Sequence, residues 1–239
     1  VTLNFGTYLL EMLTSKKYAE SRIQNINLNR ATPSSQVFAT KRTDYEPTET
    51  THYSVVDQWG NAVSVTTTIN LGYGNGCIVE GAGFFLNNEM DDFSSKPGVP
   101  NAFGLIGNVA NSIEPNKRPL SSMTPTIVLK KGKPFLIIGS PGGSTIITTT
   151  LQTILNIIDH NMDIKEAVCA DRFHSQWLPD EIQYEPRSLV KDVKINLETL
   201  GHKLVPRGGY IGEANGILIS EDGFWGGGDC RGETSAIGY

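Results

Sequence analysis

The chain has 239 residues, with 20 Lys and Arg against 25 Asp and Glu and a net charge of −5. A composition of 38 % hydrophobic and 19 % charged residues fits a soluble globular core in one large domain or two small ones. Scattered basic residues in an acidic chain exclude a nucleic-acid partner, and no apolar run reaches the ~18 residues of a membrane helix.

The chain opens at Val1, without Met and inside an amphipathic stretch, so upstream sequence is expected. Residues 1–29 read as helical. Phe5, Leu9, Met12 and Leu13 recur at helical spacing, and Tyr18, Ala19, Arg22 and Ile23 follow a Thr14-Ser15 cap. From Ala31 to Glu49 the chain is rich in Thr, Ser, Pro and charge without a period, which reads as a loose, exposed connector open to cleavage.

At Thr50 the pattern turns to alternation. A strand from Thr50 or Thr51, a Gln58-Trp59-Gly60-Asn61 turn and a strand over 62–70 make a hairpin. A Gly-rich loop over 72–83 precedes a short strand, Phe84-Phe85-Leu86. Residues 94–118, with Pro97, Pro100, Gly98, Gly104 and Gly107, form a long loop of the kind that often serves as a lid. Strands at 126–130 and 134–139 lead through Ser140-Pro141-Gly142-Gly143-Ser144 into a helix ending near Asp159. Its apolar face is expected at Ile146, Ile147, Leu151, Ile154, Leu155 and Ile158. Helices from Asp163 and over 188–200, then a hairpin at 217–219 and 224–225, complete the chain. Strands, helices and strands with short hairpin connections predict an α/β layered fold with mainly antiparallel sheets.

Cys77, Cys169 and Cys230 are far apart, odd in number and without CxxC spacing, so ordinary buried thiols are expected. His52, His160, His174 and His202 have no ligand spacing to Glu89, Asp91 or Asp92. No metal is expected, and structural roles are assigned to the histidines.

Three constellations can carry chemistry. Thr50-Thr51-His52 stands behind a cleavable connector. A Thr hydroxyl needs a base, and its own α-amine, freed by cleavage, has a suitable pKa of about 7.7–8.0. The same residues also suit an ordinary strand start. Ser140 to Ser144 places two glycines at a helix N-terminus, where backbone N–H groups can hold an oxyanion or simply turn the chain. It is not a Walker loop, because no Lys follows the glycines. Glu89 and Asp91-Asp92 can hold an ammonium, and Ser121-Ser122 a carboxylate, together an amino-acid head group. Turn capping is the alternative.

Four segments in order, 50–55, 86–93, 116–123 and 139–144, resemble the γ-glutamyltransferase (γ-glutamyltranspeptidase) family of N-terminal nucleophile (Ntn) hydrolases; residues 172–174 and 176–179 extend the likeness. The resemblance implies an αββα sandwich, incomplete without the large subunit. Residues 1–49 correspond to the C-terminal tail of that subunit and 50–239 to the small catalytic subunit. It implies self-cleavage between Glu49 and Thr50, then attack by Thr50 on the γ-carbonyl of glutathione or another γ-glutamyl compound. Thr68 orients Thr50, and Gly142 and Gly143 supply oxyanion N–H groups. Asn70, Glu89 and Asp92 bind the α-ammonium, Ser121 and Ser122 the α-carboxylate, and Phe103 packs in the lid. Water or an amino acid or dipeptide accepts the acyl group, with no cofactor, in the periplasm or outside the cell. Alternatives are another N-terminal Thr amidase (a poly-γ-glutamate depolymerase or an acylase) and an unprocessed, non-catalytic homologue. The lid segment favours small substrates. The chain departs from the family in lacking the large-subunit Arg, in having Phe103 where many bacterial members have Tyr, and in reading Asp229-Cys230-Arg231 for the usual Asp-Pro-Arg.

Overall fold

The computed structural model describes residues 11–37, 50–94, 96, 98, 99, 107 and 109–238. Within the first expected helix it shows α1 (Lys16–Ile23), started by Ser15, whose Oγ accepts the Tyr18 N–H at 3.1 Å. Residues 1–10 lie outside the described residues. Residues 31–37 are irregular but tied down. The Ser34 N–H donates to Asp180 Oδ2 at 2.7 Å and its hydroxyl to the Trp177 carbonyl at 2.5 Å. Trp177 Nε1 donates back to the carbonyls of Ser34 and Val37, at 3.2 and 3.0 Å. A docked coil has no hydrophobic period, so nothing in the local pattern announces this clasp.

The hairpin forms as expected, with β1 (Thr50–Val56) antiparallel to β2 (Ala62–Thr68) in unbroken register from Thr50↔Thr68 to Val56↔Ala62. Asp57 builds the turn by accepting the N–H groups of Trp59 and Asn61, at 2.9 and 2.8 Å. The expected strand at 84–86 is not formed. Phe85 makes a single bridge to Ile78, because left-handed Gly81 and Gly83 turn the chain too tightly for a longer ladder.

The chain continues through β3 (Thr126–Lys130), β4 (Lys133–Gly139), α2 (Thr145–Ile158) and α3 (Ile164–Cys169). It then runs through β5 (Phe173–His174), β6 (Ile182–Tyr184), α4 (Lys191–Thr199), β7 (Leu204–Pro206), β8 (Asn215–Ser220) and β9 (Gly223–Gly228). Asp163 caps α3 through a reciprocal capping box with Glu166. Strands order as β3-β4-β8-β9, all antiparallel, and as β5-β6-β7, where β6 and β7 are parallel.

β4 is one of the two inner strands of the four-stranded sheet. Ile137 and Ile138 point to opposite faces, and both are fully buried. On one face Leu136 and Ile138 pack with Ile157 of α2 and Ile164, Ala167 and Val168 of α3. The β1–β2 hairpin packs on the other. Among the described residues the order is therefore hairpin, four-stranded sheet, helices. This is the expected α/β layering with mainly antiparallel sheets, and the outer hairpin face at Tyr53, Val55 and Val63 remains exposed.

The expected apolar face of α2 turns inward only at Ile146, which is buried, and at Ile154, which packs against the core. Thr145, Thr149, Thr150 and Thr153 are buried with Ile146 and Ile157, whereas Ile147, Leu151, Leu155 and Ile158 are exposed. Close approach explains the threonines. A Cβ on Gly212 would overlap Thr149 and Ser140, so a short side chain is required on this side of the helix. Thr145 and Thr153 also satisfy their hydroxyls on the carbonyls of Gly142 and Thr149, at 2.7 and 2.9 Å.

The expectation of ordinary thiols is corrected. Cys169, at the end of α3, and Cys230 form a disulfide across 61 residues, and Cys77 is free and exposed. Sequence separation gives no local sign of this pairing. Closing so long a loop restricts the unfolded chain, so reduction, or Cys169→Ala with Cys230→Ala, is expected to cost about 2–4 kcal/mol, read as a lower urea midpoint.

The same corner holds four buried charges. Asp229 accepts Arg172 Nη2 at 2.7 Å, Arg231 Nη1 at 2.8 Å and the Ala214 N–H at 2.7 Å. Glu185 accepts Arg231 Nε at 2.8 Å and the N–H groups of Arg172 and Ile211, at 2.7 and 2.8 Å. Burial works against the Glu185 charge, but Arg231 and the two N–H groups outweigh it and hold the carboxyl below its usual range.

Candidate active site

The hairpin sets the first pair. Thr50 is the first residue of β1 and faces Thr68 across the ladder. Such neighbours have Cα atoms about 4.5–5.5 Å apart. Thr68 Oγ1 accepts the Asn70 N–H at 2.9 Å, which directs its own proton elsewhere. Asn70 is 3 % exposed and left-handed at φ 74°, the conformation that ends β2 and turns its amide inward.

From Asn70 a run of hydrogen bonds leads to the acidic turn. Asn70 Nδ2 donates to the Asn88 carbonyl at 3.1 Å, and Asn88 Oδ1 accepts the Leu71 N–H at 3.1 Å. A 3₁₀ turn, Glu89–Asp92, follows. Burial, the shared hydrogen bond and the Asp92 charge push the Glu89 carboxyl up to about 7. Asp92 is raised as well, by burial first, with its hydrogen bond to Glu89 opposing. Both carboxyls are thus pushed toward their neutral forms, an effect that a bound cation would oppose.

Asn111 then joins this turn to the serine loop. Its Nδ2 donates to the Asp92 carbonyl at 2.7 Å, and its Oδ1 accepts the Leu120 N–H at 3.0 Å, next to Ser121 and Ser122. Ser121 Oγ accepts the Met123 N–H at 3.2 Å. β3 carries the loop to β4, where Thr126 faces Ile138.

β4 ends at Gly139, and Ser140 to Ser144 lead into α2. Gly142 and Gly143 are left-handed, at φ 133° and 56°, and their carbonyls accept the N–H groups of Thr145 and Ile146. A Cβ on Gly142 would overlap Thr145 and crowd Gly212, so only glycine fits. The Gly pair thus sits at the N-terminal end of a 14-residue helix, where the dipole favours negative charge.

Thr50, Thr68, Asn70, Glu89, Asp92, Ser121, Ser122, Gly142 and Gly143 thus lie along one connected framework. Glu49 and Phe103 fall outside the described residues. Asn88 and Asn111 join these segments through hydrogen bonds between residues distant in sequence, which leave no periodic trace.

The gamma-glutamyltranspeptidase family profile matches residues 4–239. The chain belongs to that family. A relative of the gamma-glutamyltranspeptidase family, the glutathione hydrolase proenzyme of Escherichia coli (strain K12), is 50 % identical over 213 residues, covering 89 % of this chain and 36 % of the relative. The chain thus spans about a third of that relative's length. A Helicobacter pylori gamma-glutamyltranspeptidase mutant has a similar structure, with 59 % identity, a TM-score of 0.73, and coverage of 76 % of this chain and all of that one. An acivicin-inhibited gamma-glutamyltranspeptidase, whose C-terminus is described as critical in autoprocessing and catalysis, is 58 % identical with a TM-score of 0.73. That match covers 77 % of this chain and 100 % of the other.

Proposed function

We propose that this chain is the catalytic C-terminal part of a self-cleaving γ-glutamyl hydrolase and transferase acting on glutathione and related γ-glutamyl compounds. The observation that carries this reading is the placing of Thr50 as the first residue of β1, opposite Thr68, with the Gly142–Gly143 turn at the end of the strand beneath. On this reading residues 1–49 are the tail of the large subunit and 50–239 the small one. Thr50 Oγ attacks the Glu49 carbonyl; the Glu49–Thr50 C–N bond breaks, which frees the Thr50 α-amine and leaves an ester on Oγ, and water hydrolyses that ester to free the hydroxyl.

The α-amine then takes the Thr50 hydroxyl proton as Oγ attacks the γ-carbonyl of the donor. The Gly142 and Gly143 N–H groups hold the oxyanion. Collapse expels the donor amine with the proton and leaves a γ-glutamyl ester on Thr50. Water, an amino acid or a dipeptide accepts the acyl group. Asn70, Glu89 and Asp92 hold the donor α-ammonium, Ser121 and Ser122 its α-carboxylate, and Phe103 is assigned to donor binding by the resemblance. The disulfide supports a working place in an oxidising compartment, the periplasm or cell exterior.

Mass spectrometry of the full-length precursor tests the reading. The expected result is a fragment beginning at Thr50 and release of 4-nitroaniline from a γ-glutamyl anilide. Uncut chain with no release overturns it.

The acidic pair adds a pH dependence. Below about 7 the pair carries a proton that the substrate ammonium must displace. The donor KM is expected to rise up to about tenfold per pH unit below 7, and Glu89→Gln to flatten the slope while raising KM throughout. Steady-state kinetics from pH 5.5 to 8 read both.

A further inference from the structure

Beneath Thr50, on the same side of β1, lies His52. It is 6 % exposed. Its Nδ1 pairs with Thr66 Oγ1 at 2.8 Å and its Nε2 with Ser54 Oγ at 3.1 Å, so both ring nitrogens are used inside the hairpin. Thr66 faces His52 across the ladder, two residues before Thr68, and Ser54 is the next inward residue of β1. The ring is therefore locked by neighbours on both strands.

The ring rests against β4. A Cβ on Gly139 would overlap His52 at Cε1, Nδ1 and Cγ, so the strand is as close to the imidazole as a backbone can come. Beside this contact, Ser64 Oγ donates to the Ile138 carbonyl at 3.1 Å. The seam between hairpin and sheet is thus polar and short, and it ends at Gly139, three residues before Gly142. Burial holds the imidazole down to about 4, so the ring is neutral at physiological pH and both contacts are those of an uncharged group.

We infer that His52 is a positioning residue for the reaction, a spacer that fixes the distance between the Thr50-bearing strand and the Gly142–Gly143 turn by standing between β1 and Gly139. It touches neither substrate nor the reacting atoms. Its contribution is to the geometry in which Thr50 Oγ and the oxyanion N–H groups face one carbonyl carbon. The same geometry serves the attack on Glu49 and the attack on the donor, so both steps depend on it. The head-group residues Glu89, Asp92, Ser121 and Ser122 lie beyond Asn70 on bonds through Asn88 and Asn111, none of which is made to the ring.

That separation makes the effect specific. A nucleophile misplaced by an ångström loses transition-state stabilisation but not donor binding, which lowers kcat at constant KM. The inference rests on the proposed function, and the wild-type precursor is the control for it. If the wild type neither cleaves nor releases 4-nitroaniline, the functional reading fails. If it does both, the His52 variants decide the inference alone.

In the full-length precursor, His52→Leu is expected to lower kcat about 100-fold with KM within twofold, and to slow appearance of the Thr50 fragment by a similar factor. His52→Asn, which keeps a polar group near Thr66, is expected to recover about tenfold of the loss. Gly139→Ala reads the contact from the other side, because its methyl must displace the ring or β4, and the same kcat-selective loss is expected. It also serves if His52→Leu does not fold. A kcat within twofold of wild type in either folded variant overturns the inference. So does a loss carried by KM, or a His52→Asn no better than His52→Leu.

Discussion

Thr50→Ala is expected to abolish precursor cleavage and to lower turnover by about 10⁴-fold or more, the scale seen when a covalent nucleophile is removed. The two effects come together because one hydroxyl makes both attacks. In the first it meets the Glu49 carbonyl within its own chain, and in the second the γ-carbonyl of a bound donor. Thr50→Ser keeps the hydroxyl and is expected to retain both steps at reduced rate. The two variants differ in chemistry but not in strand position, since either residue fits the first place of β1 beside Thr68. Electrophoresis and 4-nitroaniline release measure the outcome. Turnover retained by Thr50→Ala refutes the nucleophile. Cleavage lost in Thr50→Ser with normal folding places the requirement on the methyl group instead.

Asp229→Ala is expected to be the most damaging single change to stability, by about 3–5 kcal/mol. Asp229 is 2 % exposed and Arg172 1 % exposed. Removing the carboxylate leaves a guanidinium in the interior with carbonyl partners only, those of Ile211 and Val168. It also strips the acceptor from the Ala214 N–H and one of several from Arg231, which keeps Glu185. Burial already pulls the Arg172 guanidinium below its usual range, with the Asp229 charge the principal opposing influence. Two acids and two arginines balance in this corner, so losing one acid unbalances the set. Urea denaturation of the folded precursor reads the cost. A shift under 1 kcal/mol would show that water reaches Arg172 and that the cluster is not sealed.

The sequence reads well where one residue's neighbours decide its structure. The hairpin at Thr50, the capped start of α3 at Asp163 and the turn at Gly142–Gly143 all follow from short patterns of alternation, capping and glycine. It reads poorly where two distant segments meet. The Cys169–Cys230 bond and the Arg172–Asp229 pair join residues dozens of positions apart, and neither leaves a periodic sign. The Phe84–Leu86 run has strand composition but too little partner for a ladder. In α2 the helix was legible, but only Ile146 and Ile154 of its expected apolar face turn inward. Apolar side chains are expected inward, yet the threonine side alone is short enough to meet Gly212. For the site, the resemblance of four segments implied the reacting and binding residues. The bonds through Asn88 and Asn111 that join those segments came from the structure.

The Ser34–Trp177 clasp has a bearing on what a cut at Glu49–Thr50 would achieve. It holds the chain twelve residues upstream of that bond, at Val37, against a segment far downstream of it. Hydrolysis there would not part the two pieces. The upstream piece would stay moored to the downstream one through Ser34, Val37, Trp177 and Asp180.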